Sequence, residues 1–161
     1  MTTLEPTAQL VIERYISRGL KVATAESCTG GLVGAALTEI AGSSAVFERG
    51  FITYSNEAKI AMLGVPLDLL SKFGAVSPEV AVAMAEGAIA NSLADVAVSI
   101  TGVAGPGGGS AAKPVGLVHF GLARRGFASR HIARQFGDIG RDKVRFASVN
   151  QALELFLSAL A

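Results

Sequence analysis

An α/β sandwich around a largely parallel sheet, closed by an antiparallel pair of strands, is the fold this sequence predicts. Three observations carry that expectation. Segments with apolar residues at helical spacing alternate with short apolar runs of strand length, as when helices are laid on a sheet. Half of the 161 residues are apolar and only 17% are charged, so the chain can bury a sizeable core and is not disordered. Nineteen glycines among many alanines let helices approach a sheet closely.

The elements follow in order. Pro6 to Arg18 is a helix with Leu10, Val11 and Tyr15 on its apolar side and Gly19 as its stop. "LKVATA" is a short buried strand, after which "ESCTGG" turns into the small-residue helix "LVGAALTEI", ending near Gly42. "AVFERGFITYS" is a strand bent at Gly50. "NEAKIAMLG" is a helical turn or two, with Asn56 as its cap and Gly64 as its stop, and "PLDLLSKFG" is another short helix. Ser77-Pro78-Glu79 opens the next helix with a capping hydroxyl, a proline at the first helical position and an acid in the first turn. "ADVAVSIT" is a buried strand and "GVAGPGGGSAAKP" a long glycine-rich loop. "VGLVHFGLA" and "FASRHIARQF" are strands joined as a hairpin at Arg125-Gly126, and the residues from Gly140 onward form an amphipathic closing helix. No linker, repeat or second domain interrupts residues 1–161, which read as one domain.

Charge and composition limit the function. Residues 1–120 hold seven Lys/Arg and ten Asp/Glu, a balance of −3, whereas residues 121–161 hold seven and three, a balance of +4. That is too little for a nucleic-acid surface, which carries a dense basic stripe, but enough to receive one small anion. The two histidines, His119 and His131, fall in strand-like segments, and with one cysteine elsewhere they cannot assemble a usual zinc site. No close acidic cluster suggests magnesium, so no metal and no cofactor are expected. No apolar run is long enough to span a bilayer and no signal-peptide pattern opens the chain. A cytoplasmic protein without an internal disulfide, and without membrane or nucleic-acid partners, is the expectation. The low charge leaves room for a homo-oligomer interface.

Three polar stretches fall at strand ends, where α/β proteins bind ligands: Glu26–Gly31, Tyr54–Lys59 and Thr101–Pro114. "GPGGG" fits neither the dinucleotide fingerprint nor the phosphate loop. It is either a flexible connection or a cradle of backbone N–H groups for an anion. "TAESCTGG" sets two nucleophile types side by side, Ser27 and Cys28. A cysteine nucleophile normally needs a nearby histidine, and neither histidine lies in an evident loop. A serine needs a base, and Lys59 of "TYSNEAK" is available, since a lysine placed at a helix start and buried loses proton affinity. Spacing alone leaves plainer readings open: Ser27 as a helix cap, Cys28 as packing, Lys59 as an exposed lysine.

The motifs together resemble the CinA C-terminal domain family. "AESCTGGLVGAALTEIAGSSAVFERGFITYSNEAK", "LGV", "GAVS", "TGVAGPGGGSAAKPVG" and "GDIGRDKVR" carry the resemblance, in that order, from about Leu10 to Leu157. It implies a three-layer α/β/α domain with a mixed, largely parallel sheet. Because the family includes stand-alone nicotinamide-nucleotide amidohydrolases, it also implies metal-independent hydrolysis of nicotinamide mononucleotide to nicotinate mononucleotide and ammonia. Carried over by motif, Ser27 is the nucleophile, Lys59 its base and Tyr54 a supporting residue. Thr29, Gly30 and Gly31, with Thr101, Gly102 and Gly105 of the glycine loop, surround the substrate, and Arg141 meets its phosphate. Longer members carry an amino-terminal domain with a pyrophosphatase activity, expected to be absent here. The competing reading is a non-catalytic nucleotide-binding or regulatory module linked to competence and DNA damage; an intact Ser27, Tyr54 and Lys59 set argues for the enzyme.

Overall fold

The computed structural model describes residues 4–161 as five strands in the order β2-β1-β3-β4-β5 with helices on both faces. The strands are β1 (Val22–Glu26), β2 (Phe47–Ile52), β3 (Val96–Gly102), β4 (Leu117–Arg124) and β5 (Arg130–Gln135). β2, β1 and β3 run parallel, and β4 and β5 complete the sheet antiparallel. The expected mixed, largely parallel sheet and three layers are therefore present.

Two apolar clusters, one on each face, hold the layers together. One face receives α1 (Glu5–Arg18), α2 (Leu32–Thr38) and α6 (Arg141–Ser158), which bury Val11, Ile12, Leu37, Leu153 and Phe156. Tyr15 of α1 gives its hydroxyl proton to the carbonyl of Phe156 at 2.7 Å, so even this largest buried side chain leaves no polar atom unmatched. The other face receives α3 (Asn56–Leu63), α4 (Leu67–Phe73) and α5 (Pro78–Ala90), which bury Leu63, Leu70, Val80 and Met84. Burying a side chain of this kind stabilises the fold by about 1.5–3 kcal/mol.

Local chemistry explains most boundaries and corrects three expectations. Ser77 caps α5 by accepting from the Val80 N–H, as the sequence indicates. The cap of α3 is Ser55, whose hydroxyl accepts from Ala58 N at 3.0 Å; Asn56 is the first helical residue instead. The second strand is shorter than expected, because a 3₁₀ turn occupies Ser43–Ala45 ahead of Phe47. Its register shifts opposite Val22/Ala23, skipping Glu48, whereas Gly50 pairs regularly with Thr24. Gly50 serves close packing rather than a bend, since a Cβ there would stand 2.8 Å from Thr24 Oγ1 and 3.2 Å from the Phe47 ring. The hairpin turn at Arg125-Gly126 is present, with Gly126 at φ 85°.

Candidate active site

The three polar stretches noted in the sequence follow β1, β2 and β3, three adjacent parallel strands, and so meet at one edge of the sheet. Backbone bonds pin them there. Ser27 N donates to the carbonyl of Ile100 at 3.0 Å, and Thr53 N donates to that of Glu26 at 2.9 Å. The chain then enters α3, whose Lys59 turns back toward the sheet and is only 1% exposed. Its Nζ lies 3.0 Å from Ser27 Oγ, 2.9 Å from the carbonyl of Thr53 and 3.2 Å from that of Tyr54.

This arrangement matches the bonding inventory of a neutral amine, which has two N–H donors and one lone pair. Two of the three partners are carbonyls that can only accept; the third is a hydroxyl that can donate. An ammonium would donate to all three, whereas a neutral amine with both N–H groups on the carbonyls keeps its lone pair for the Ser27 proton. Burial, which disfavours the ammonium form, holds the Lys59 amine below its ordinary 10.5; the neighbouring Cys28 opposes the shift more weakly. No carboxylate offsets it, because among the described residues the one ion pair joins Glu48 and Arg49.

Cys28 packs into the apolar cluster beneath α1, α2 and α6 with 6% exposure. Burial pushes its thiol up to about 11, so it is protonated at neutral pH.

A cavity of about 300 Å³ opens above the pair. Ser27, Lys59, Tyr54 and Arg141 line it together with Thr101, Gly102 and Gly105 of the glycine loop. The Thr101 hydroxyl donates to the carbonyl of Ala75 at 2.9 Å, fixing the wall between α4 and α5. Tyr54 contributes in two ways: its carbonyl holds Lys59, while its ring stands at the rim, 63% exposed, with Oη accepting from Arg141 Nη2 at 3.1 Å. Arg141 Nη1 donates to Gly105 O at 2.7 Å, so the guanidinium ties the glycine loop to the rim.

Thr29, Gly30 and Gly31 are not among the lining residues. Thr29 is fully buried, its hydroxyl donating to Glu26 Oε1 at 2.7 Å, and Gly31 N donates to the same oxygen at 3.2 Å. The Thr29 hydroxyl and the Gly31 N–H thus support the turn. Conversely, Asn56, Ala75 and Val76 line the cavity and were not singled out in the sequence. Asn56 belongs to a marked motif but was read as a cap; Ala75 and Val76 carry no chemical signal.

The two histidines lie on β4 and β5, where His119 Nδ1 and His131 Nε2 are 2.9 Å apart, and neither lines the cavity. Among the described residues no three His, Cys, Asp or Glu side chains gather as a cation site. No helix of these residues is long and apolar enough to cross a membrane.

Architecture and site together define the class: an α/β/α sandwich with a buried serine–lysine pair at the carboxyl ends of its parallel strands. Residues 4–160 match the model of the CinA C-terminal domain, and the chain belongs to that family. It is 54% identical over 139 residues to the nicotinamide-nucleotide amidohydrolase PncC of Escherichia coli (strain K12), a match covering 86% of this chain and 83% of that protein. It is also 54% identical over 149 residues to a CinA-like protein of Synechococcus sp. (strain RCC307), covering 92% of this chain but only 36% of that protein. The chain spans about a third of the length of the longer relatives it matches. Among solved structures, the competence/damage inducible protein CihA from Agrobacterium tumefaciens is 52% identical and superposes with a TM-score of 0.97, over 98% of this chain and 96% of that one.

Proposed function

We propose that this chain hydrolyses the carboxamide of nicotinamide mononucleotide to nicotinate mononucleotide and ammonia through an acyl-enzyme on Ser27, without a metal. The observation that carries the chemistry is Lys59 Nζ at 3.0 Å from Ser27 Oγ, buried and flanked by two acceptor carbonyls. The substrate rests on the Escherichia coli relative, which spans nearly the same length.

Neutral Lys59 takes the Ser27 proton as Oγ attacks the carboxamide carbon, and the carbonyl oxygen takes up the negative charge. Backbone N–H groups stabilise that oxyanion; losing one such donor typically costs about 10²–10³-fold in rate. Protonated Lys59 then gives its proton to the departing nitrogen, the C–N bond breaks, and ammonia leaves. Water, deprotonated by the same amine, attacks the ester and returns Ser27 with its proton. Every proton the reaction moves has a place on Lys59, so no metal-bound water is required.

Arg141 receives the phosphate in this reading. Both of its bonded nitrogens face backbone or phenol oxygens rather than a carboxylate, which leaves its charge unneutralised at the cavity rim. Arg141→Ala is expected to raise KM for the mononucleotide by about tenfold or more, with little change for the riboside, which lacks the phosphate. Equal losses on both substrates argue that Arg141 only holds the loop.

The test of the reading is ammonia release from nicotinamide mononucleotide, with nicotinamide and its riboside as controls and a chelator present throughout. Release from the mononucleotide, undiminished by chelator, is the expected result. A protein that binds the nucleotide but frees no ammonia is a binding module, and activity lost to chelator overturns the metal-free mechanism.

A further inference from the structure

We infer that Arg145 is a positioning residue for the reaction: with Glu26 it locks the peptide planes that follow Ser27, leaving two N–H donors free for the oxyanion. The inference rests on the reading of Ser27 as nucleophile. Arg145 lies one turn beyond Arg141 on α6, on the same face of the helix. Its Nε donates to the carbonyl of Cys28 at 3.1 Å and its Nη2 to that of Thr29 at 3.3 Å. Among the described residues no carboxylate lies within ion-pair distance of it, and a cation near a helix amino terminus is opposed by the helix dipole. The guanidinium is thus committed to two backbone carbonyls with no ion pair to account for it.

Glu26 acts on the other polar side of the same turn. Its Oε1 accepts from Thr29 Oγ1 at 2.7 Å, Gly31 N at 3.2 Å and Val33 N at 2.9 Å, and its Oε2 from Gly34 N at 3.0 Å. Gly30 N donates to Ser27 O at 3.1 Å. Glu26 therefore gathers donors while Arg145 gathers carbonyls. Two donors remain: among the described residues no oxygen accepts from the N–H of Cys28 or of Thr29. In a trans peptide the C=O and N–H point in opposite directions. Holding the Cys28 carbonyl on Arg145 therefore keeps the Thr29 N–H turned away from α6. A flip of that peptide would exchange donor for acceptor beside the nucleophile, and it would first have to break a charge-assisted bond. Lysine, a point charge without the planar fork, cannot hold both carbonyls in this way.

The test compares the parent with Arg145→Lys and Arg145→Ala in three measurements. They are kcat and KM for nicotinamide mononucleotide, the thermal midpoint, and the rate at which a fluorophosphonate modifies Ser27, read by intact mass. In the last, Ser27 Oγ forms the P–O bond, fluoride leaves and Lys59 takes the proton, so it reports the turn without the substrate. Arg145→Lys is expected to fold with a midpoint close to the parent's, to lose about 10²-fold in kcat with KM within about threefold, and to be modified more slowly in proportion. Added guanidinium is expected to restore part of both rates in Arg145→Ala. A folded variant with unchanged kcat and modification rate overturns the inference, as does a lowered midpoint as the sole effect. A parent protein that is modified at Ser27 yet inert toward the mononucleotide disproves the substrate alone, and the modification rates still decide the role of Arg145. A parent not modified at Ser27 overturns both.

Discussion

Lys59→Met is expected to lower ammonia release from nicotinamide mononucleotide by about 10⁴-fold or more, and Ser27→Ala by as much. The double variant should be no slower than either single one. The three results are one argument: a base with no nucleophile and a nucleophile with no base are equally idle, so losses that act as a unit do not add. The structure supports such a unit because Lys59 has no other chemical partner, its amine being enclosed by Ser27 and two carbonyls. If Ser27→Ala retains the parent rate, both assignments fail together.

The same lysine sets two pH dependences. Below its pKa the amine is protonated and cannot accept, so kcat/KM should rise with pH and level off at a midpoint under 10.5, the direction in which burial moves the group. The residual rate of Lys59→Met should lack that rise. Stability follows from linkage: in the unfolded chain the amine holds its proton up to about 10.5, while in the folded chain it releases it earlier. Between those two values the unfolded state binds more protons, so raising the pH stabilises the fold; below the folded value the penalty is fully present. The thermal midpoint of the parent should therefore gain on that of Lys59→Met across this window. A difference that stays flat or moves the other way shows that the amine is not held in a desolvated site.

The sequence made the site's location legible but not the direction of each side chain. Alternating helices and strands, the Ser77 cap and the three polar stretches are local signals, and each stretch does follow a parallel strand. Glu26 could be recognised only as an acid beside a candidate nucleophile. Its burial under α2, with four donors on it, depends on where the turn folds in space. For the same reason Thr29 to Gly31 were expected around the substrate, while the structure spends Thr29 Oγ1 and Gly31 N on Glu26. Arg145 was one of seven basic residues in the last 41, and nothing local separates it from the others. At the start of α3, two capping residue types stand side by side, and the hydroxyl three residues ahead of Ala58 takes the bond. Charge counting marked the last 41 residues, and α6 brings that basic segment to the cavity rim through Arg141.

Gly121→Ala is expected to be a severely damaging single-methyl change away from the cavity, costing about 3 kcal/mol or more and lowering the thermal midpoint by roughly 10 °C. Gly121 lies in β4 opposite Ser99 of β3, where α5 crosses the sheet. A Cβ there would stand 2.3 Å from the carbonyl oxygen of Ala81 and 2.7 Å from Ser99 Oγ. The first of these is backbone within a helix and cannot swing aside. Ser99 Oγ donates to that same Ala81 carbonyl and accepts from Gly121 N at 3.0 Å, so displacing α5 breaks the bonds that dock it. Leaving those buried groups unpaired adds about 1–3 kcal/mol to the strain of overpacking. The damage should also reach the site, because α5 begins beside the Ala75 carbonyl that Thr101 holds in the cavity wall. Gly107→Ala is the control, since a Cβ at Gly107 meets nothing within 4 Å and should leave the midpoint within about 2 °C. Scanning calorimetry of the two variants decides the point: equal midpoints would mean that α5 is not seated on β4 through this glycine.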